Sequence, residues 1–147
     1  AFDRYNRPIG CLLFGSAAWK MGPRDQFIGW DRAVRRRNLH LTTNNTRFLV
    51  LPWVRVPHLA SFLLGATLRR LRKDWTKKYG HDLCMVETFV DRSRFAGTCY
   101  LAANWIRVGQ SKGRSRQDHH HRLQVPIKDI LVYPLTRDYK RLLCEHC

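Results

Sequence analysis

Glu87 and Asp91 are the first candidates for chemistry. Glu87 sits inside the apolar run 82–90 (DLCMVETFV), and Asp91 follows just past it. Residues at i and i+4 of a strand share a face, so both carboxylates can line one cleft at the carboxyl end of a sheet strand, where ligands often bind. Paired there, they can hold a Mg²⁺ ion or share a proton. The same groups have a structural use: Asp91 can cap the helix that follows, and Glu87 can pair with one of many arginines.

Basic residues form the second constellation. Lys112, Arg114 and Arg116 flank Gly113 and Ser115, and Arg122 closes the segment after His119, His120 and His121. Arginine forks grip phosphate oxygens bidentately, and glycine lets the backbone approach. The histidines add charge only below about pH 6.5. Arg69 and Arg70, with Arg72 and Lys73, make a basic stripe, and Arg36 is the middle of an arginine triplet. Cys144 and Cys147 are half of a zinc site, which would need two further ligands; His119 to His121 are the nearest in kind. The simpler expectation is a frayed tail without metal. Nothing resembles a recognition helix or a zinc finger.

Positioning these groups requires a sheet. The run 9–19 (IGCLLFGSAAW), bounded by Pro8 and Pro23, predicts a buried strand. Asp25 is expected to cap a helix reaching His40, and Asn44-Asn45-Thr46 reads as a loop. The run 47–54 (RFLVLPWV) predicts a strand at the sheet centre. Pro57 then opens a helix whose inner face carries Ala60, Leu64, Leu68, Leu71 and Trp75, with the basic stripe largely off it. Gly80 closes it. The run 82–90 predicts another strand and 94–104 a short helix. Final strands are expected at 105–109 and 127–133, with a basic tail from Thr136. Trp53, Trp75, Trp105 and Phe89 are expected in the core. The order argues for a single α/β domain, 9–135, with terminal extensions 1–8 and 136–147. Its mixed sheet, mostly antiparallel with some parallel pairing, is flanked by helices.

Composition sets the partner. Among 147 residues, 27 Lys and Arg oppose 11 Asp and Glu, a formal charge of +16. Charge of that size repels itself unless a polyanion relieves it. DNA or another nucleic acid is the expected partner and a membrane is not, because no run reaches the roughly 18 apolar residues of a span. An apolar fraction of 44% excludes a disordered chain. The cysteine count is odd at five, and Cys11, Cys84 and Cys99 read as buried free thiols, which suits a reducing cytoplasm. The chain opens on Ala1, as an excerpt would.

Several motifs then combine. Gly15-Ser16-Ala17-Ala18-Trp19-Lys20, Arg24-Asp25-x-Phe27-Ile28-Gly29-Trp30, Asn45-x-Arg47-Phe48-Leu49-x-Leu51-Pro52-Trp53-Val54, Glu87-Thr88-Phe89-Val90-Asp91 and Gly97-Thr98-x-Tyr100-x-Ala102-Ala103-Asn104-Trp105 resemble, in this order, the DruA family. That family is named for the Druantia anti-phage defence system of bacteria, and related domains accompany transposases. The resemblance runs from about Gly10 to Leu135. Members usually carry a further N-terminal region, and many have glycine where Ser115 stands. It implies a module of phage defence or of a mobile element, with other defence or transposase proteins as further partners.

A second resemblance concerns the fold. The strand ending at Val54, the helix after it, the strand to Val90 and the helix of Tyr100 look like the core of a GNAT acetyltransferase. GNAT enzymes hold the acyl-CoA pyrophosphate on a loop read as Gln/Arg-x-x-Gly-x-Gly/Ala. Here Arg55 and Ala60 are kept, His58 replaces a glycine, and Pro57 lacks an N–H where donors must converge on phosphate. Tyr100 falls near the GNAT general acid. The expectation is a GNAT-like scaffold that has lost acetyl transfer, with no bound cofactor; Mg²⁺ on Glu87 and Asp91, or acetyl-CoA at Arg55 to Ala60, are the alternatives. Three functions follow: a DNA-binding module; an enzyme, either acyl transferase or metal-dependent DNA nuclease; or a scaffold whose basic face docks an acidic partner protein.

Overall fold

The chain is seen in a computed structural model that describes residues 1–113 and 125–145. Its centre is strand β3 (Met85–Asp91), whose period-two alternation feeds two cores. Val86 and Val90 join Leu64, Leu68, Leu71, Tyr100, Trp105 and Leu131 on one face of the sheet. Met85 joins Ile28, Trp30, Val34, Val132 and Leu143 on the other. A strand covered on both faces needs apolar side chains of both parities, and β3 supplies them except at Glu87 and Thr88.

Around it, β1 (Gly10–Ser16), β2 (Thr42–Val50), β4 (Ile106–Gln110) and β5 (Lys128–Pro134) complete a five-stranded sheet in the order β1-β2-β3-β5-β4. Only β2 and β3 run parallel. Their crossover is helix α3 (Leu59–Tyr79), which buries Leu63, Leu64, Leu68 and Leu71 and ends at Gly80, as its periodicity requires. Helices α1 (Gly22–Ile28), α2 (Arg32–Asn38) and α5 (Tyr139–Cys144) bring Ile28, Val34 and Leu143 to the second core, and α4 (Thr98–Ala102) supplies Tyr100 to the first. The result is a single-domain α/β fold with a mixed sheet flanked by helices.

Several elements depart from the sequence expectation. The helix from Asp25 to His40 is two helices. Gly29 adopts a left-handed φ of 90° that ends α1, and Asp31 starts α2 by accepting from the Val34 N–H. Asn44-Asn45-Thr46 is strand, not loop. Pairing to β1 continues through it, and Thr46 is the extra residue of a bulge between the pairs Leu13–Arg47 and Phe14–Asn45. β2 stops at Val50, before Pro52, and lies second from the edge, because β5 inserts beside β3. The residues read as a basic tail include α5, where Leu143 is fully buried. Cys84 is buried, but Cys11 is exposed, on the outer face of the edge strand β1. Trp105 lies in the core, whereas Trp53 is 67% exposed.

Candidate functional site

The bulge at Thr46 bends β2 away from β3. The parallel ladder holds only for Thr42–Met85, Thr43–Val86 and Asn44–Glu87, and beyond it the strands part. Asn45, 3% exposed, occupies the fork. Its Nδ2 donates to the Leu13 and Arg47 carbonyls, both at 3.0 Å. Its Oδ1 accepts from the Tyr100 hydroxyl at 2.7 Å, and its carbonyl accepts from Thr88 Oγ1 at 2.9 Å. One residue thus ties together β1, β2, β3 and α4. Burial of Tyr100 pushes its phenol up to about 12, so the hydroxyl stays protonated and donating.

Past the fork the strands enclose an open cavity of about 500 Å³. Arg47, Arg94 and Lys128 line it together with Asp91, Phe95 and Tyr100. Arg94 lies 5.8 Å from the Phe95 ring centroid. Gly97 heads α4 with a left-handed φ of 71°, a backbone conformation that glycine adopts without strain. Asp91 accepts from the Ser93 hydroxyl at 2.6 Å and from the Ser93 N–H at 3.0 Å, and these bonds hold its carboxyl below the ordinary value. It remains a carboxylate between Arg94 and Lys128.

Glu87 has no access to this cavity. It is fully buried on the α1 side of β3. Its Oε2 accepts from Arg24 Nη1 at 2.6 Å and its Oε1 from the Ala18 N–H at 2.6 Å. Arg24, itself fully buried, also donates through Nε and Nη2 to Asp25 Oδ1, at 2.9 and 2.7 Å. Arg35 donates to Asp25 Oδ2 at 2.9 Å. Burial pushes the Glu87 carboxyl up, and the charge of Arg24 pulls against it. The chain Glu87–Arg24–Asp25–Arg35 is balanced in charge and closed to solvent. The shared face of Glu87 and Asp91 therefore does not become a shared cleft. Among the described residues, no group of three or more His, Cys, Asp or Glu gathers to hold a metal.

A family model for "Druantia protein DruA" matches residues 1–125. The chain belongs to the DruA family. No curated protein matches it.

The motifs that resemble DruA gather at these two places. Ala18, Arg24, Asp25, Trp30 and Glu87 build or cover the closed network, with the Arg24 guanidinium 5.3 Å from the Trp30 ring. Asn45, Arg47, Phe48, Thr88, Asp91, Gly97 and Tyr100 build the fork and the cavity. The other sequence candidates lie apart from both. Arg69 and Arg70 are exposed on α3, Arg70 pairing with Asp74 at 3.3 Å. Arg36 is exposed on α2. Arg55 is exposed in the loop before α3; His58 is the left-handed N-cap at φ 58°, and Ala60 stands in the first turn. Lys112 is exposed after β4, while Arg114, Arg116, Arg122, His119 to His121 and Cys147 lie outside the described residues. Sequence reasoning passed over Arg47, Phe95 and Lys128. From sequence, Arg47 falls in a strand, Phe95 in a short helix over 94–104 and Lys128 in the last strand. The signal that joins them is the bulge, and an Asn-Asn-Thr stretch reads as a turn unless its pairing to β1 is known.

Proposed function

We propose that this chain is a nucleic-acid-binding module, with DNA as its target, of a bacterial anti-phage defence system or mobile element. One observation carries the reading: the acids are spent locally, and the cations are not. Asp25 and Glu87 are consumed by buried arginines, and the buried Asp129 by Arg107 and Arg92. Asp3, Asp74, Asp82, Asp138 and Glu145 each sit on a near arginine. Arg69, Lys73 and Lys77 recur at every fourth position on the exposed side of α3 with no ion pair among the described residues. A stripe spanning about 12 Å of helix axis fits phosphates along a backbone. Arg36, Arg47 and Arg55 add charge with no ion pair among the described residues, and Arg94 and Lys128 together outweigh the one carboxylate of Asp91 between them.

The scaffold reads as GNAT-like without acetyl transfer. The run β2–α3–β3 with a parallel pair that parts at its end, followed by α4 and two antiparallel strands, supports the likeness. Against acyl transfer, Pro57 brings no N–H, and Leu59 N–H already bonds the Val56 carbonyl at 3.3 Å. The Tyr100 hydroxyl already donates to Asn45.

The test is DNA binding at two salt concentrations. Binding to duplex and single strands should weaken steeply as salt rises, with a log–log slope falling by about 1 for each phosphate contact removed. Replacing Arg69, Lys73 and Lys77 by Gln should flatten that slope. Binding that ignores salt, or none, overturns the reading; acetyl-CoA turnover or Mg²⁺-dependent nicking would move it to the enzyme class.

A further inference from the structure

We propose that the cavity between β2 and β3 is a nucleotide pocket: it takes a nucleoside phosphate, its base against Phe95 and its phosphate among Arg47, Arg94 and Lys128. This rests on the nucleic-acid reading and adds a place where one unit of a strand is held.

The groups present select the ligand. With Asp91 as the one carboxylate among the described residues of the wall, that lining carries more positive charge than negative, so it favours an anion. Asp91 is not free to repel it fully, because Ser93 N–H and hydroxyl both bond its Oδ1. Phe95 is 63% exposed at the rim. A lone exposed phenylalanine needs no explanation, but this one stands beside cations and over a polar wall. The Arg94 guanidinium lies over the Phe95 ring, 5.8 Å from its centroid, so a base stacked at Phe95 has a cation close by. The inner wall is made by Thr88, Asn45 and Tyr100, whose hydrogen bonds to one another hold it rigid. Ligand pockets of roughly 300–1,000 Å³ are typical for small molecules, and about 500 Å³ leaves room for one nucleotide. A plain anion would leave Phe95 unused, and an apolar ligand would leave the cations unpaired. A flat ring carrying a phosphate uses both.

Two sources share this chemistry, a free nucleotide and a nucleotide within a strand, and the experiment separates them. Affinity of the wild-type chain is measured for a short labelled single-stranded DNA and for the matching duplex, and calorimetry follows dAMP and coenzyme A separately. The same is done for Phe95→Ala, Arg94→Gln and the α3 variant lacking Arg69, Lys73 and Lys77. Phe95 and Arg94 are exposed, so the variants should fold. The expected result is that Phe95→Ala weakens single-strand binding about tenfold and leaves duplex binding unchanged, while the α3 variant weakens both. Displacement of the single strand by dAMP, with heat lost in Phe95→Ala, supports the pocket. Single-strand and dAMP binding unaltered in Phe95→Ala overturns it and leaves the nucleic-acid reading standing. Coenzyme A bound in preference to dAMP also overturns it. If no DNA binds the wild type, the nucleic-acid reading falls and dAMP alone decides: saturable heat abolished by Phe95→Ala upholds a pocket for free nucleotides, and no heat overturns it.

Discussion

Strand β3 uses a carboxylate twice and to opposite ends. At Glu87, Arg24, Asp25 and Arg35 close around the charge, with Trp30 stacked against the Arg24 guanidinium and both Glu87 and Arg24 fully buried. At Asp91, four residues on in the same strand, the charge opens into a cavity where Arg47, Arg94 and Lys128 have no ion pair among the described residues. The difference arises from the neighbouring strand. Where β2 still pairs with β3, at Asn44–Glu87, the sheet is sealed; where the bulge at Thr46 has turned β2 away, it is open. The closed cluster spends its charge on fixing one arrangement of α1, α2 and β3. The open one keeps its charge for something outside.

The comparison breaks most readily at Arg24. Arg24→Met leaves Glu87 buried and without its cation, and removing one partner of a buried pair costs about 3–5 kcal/mol. Urea unfolding should read that loss; a drop under about 1 kcal/mol would mean that the network adds little to the fold. A smaller effect tests the wall between the regions. Unfolded, Tyr100 ionises around 10.0; folded, it holds its proton to about 12. The stability linked to this group is therefore complete below pH 10 and is lost as pH rises through that window, by about 2–3 kcal/mol. Tyr100→Phe should remove this extra alkaline loss, aside from an offset of about 1 kcal/mol at every pH for the missing hydrogen bond. Stability curves for the two proteins that stay parallel from pH 9 to about 12 would contradict a buried phenol. The smallest effect sharpens the contrast: Arg94→Gln should change stability by less than about 0.5 kcal/mol, as exposed substitutions do. Arg94 and Arg24 are the same residue type, and unfolding midpoints should rank them far apart.

The elements that sequence alone made legible are those with strong local signals. The α3 face, its Gly80 end and the apolar runs of β3 and β5 needed no tertiary context, whereas the run at β1 became an edge strand with Leu13 exposed. The same holds for the mixed α/β class and for the motifs of the DruA resemblance. What escaped depended on long-range pairing. Asn45 looks like a turn residue; it became a strand residue because β1 pairs with it and because its amide has partners in Leu13, Arg47 and Tyr100. Asp25 looks like a helix cap, but its carboxylate is held by Arg24 beside it and by Arg35, ten residues on. Glu87 and Asp91 were rightly read as sharing a strand face, but only the course of β2 decides which of them meets solvent. The net charge was plain from composition; the fact that the acids are consumed near at hand was not.

The contacts of α5 bear on how the molecule is made. The carbonyl of Leu143 accepts from Trp30 Nε1 at 2.6 Å and from Asn38 Nδ2 at 2.9 Å, across 113 and 105 residues of chain. Contacts of such sequence separation form late and slowly. During synthesis, the α1–α2 side of the sheet must wait, its tryptophan exposed, until Leu143 has left the ribosome. The opposite side, built on α3, takes its last buried core residue, Leu131, twelve residues earlier in the chain.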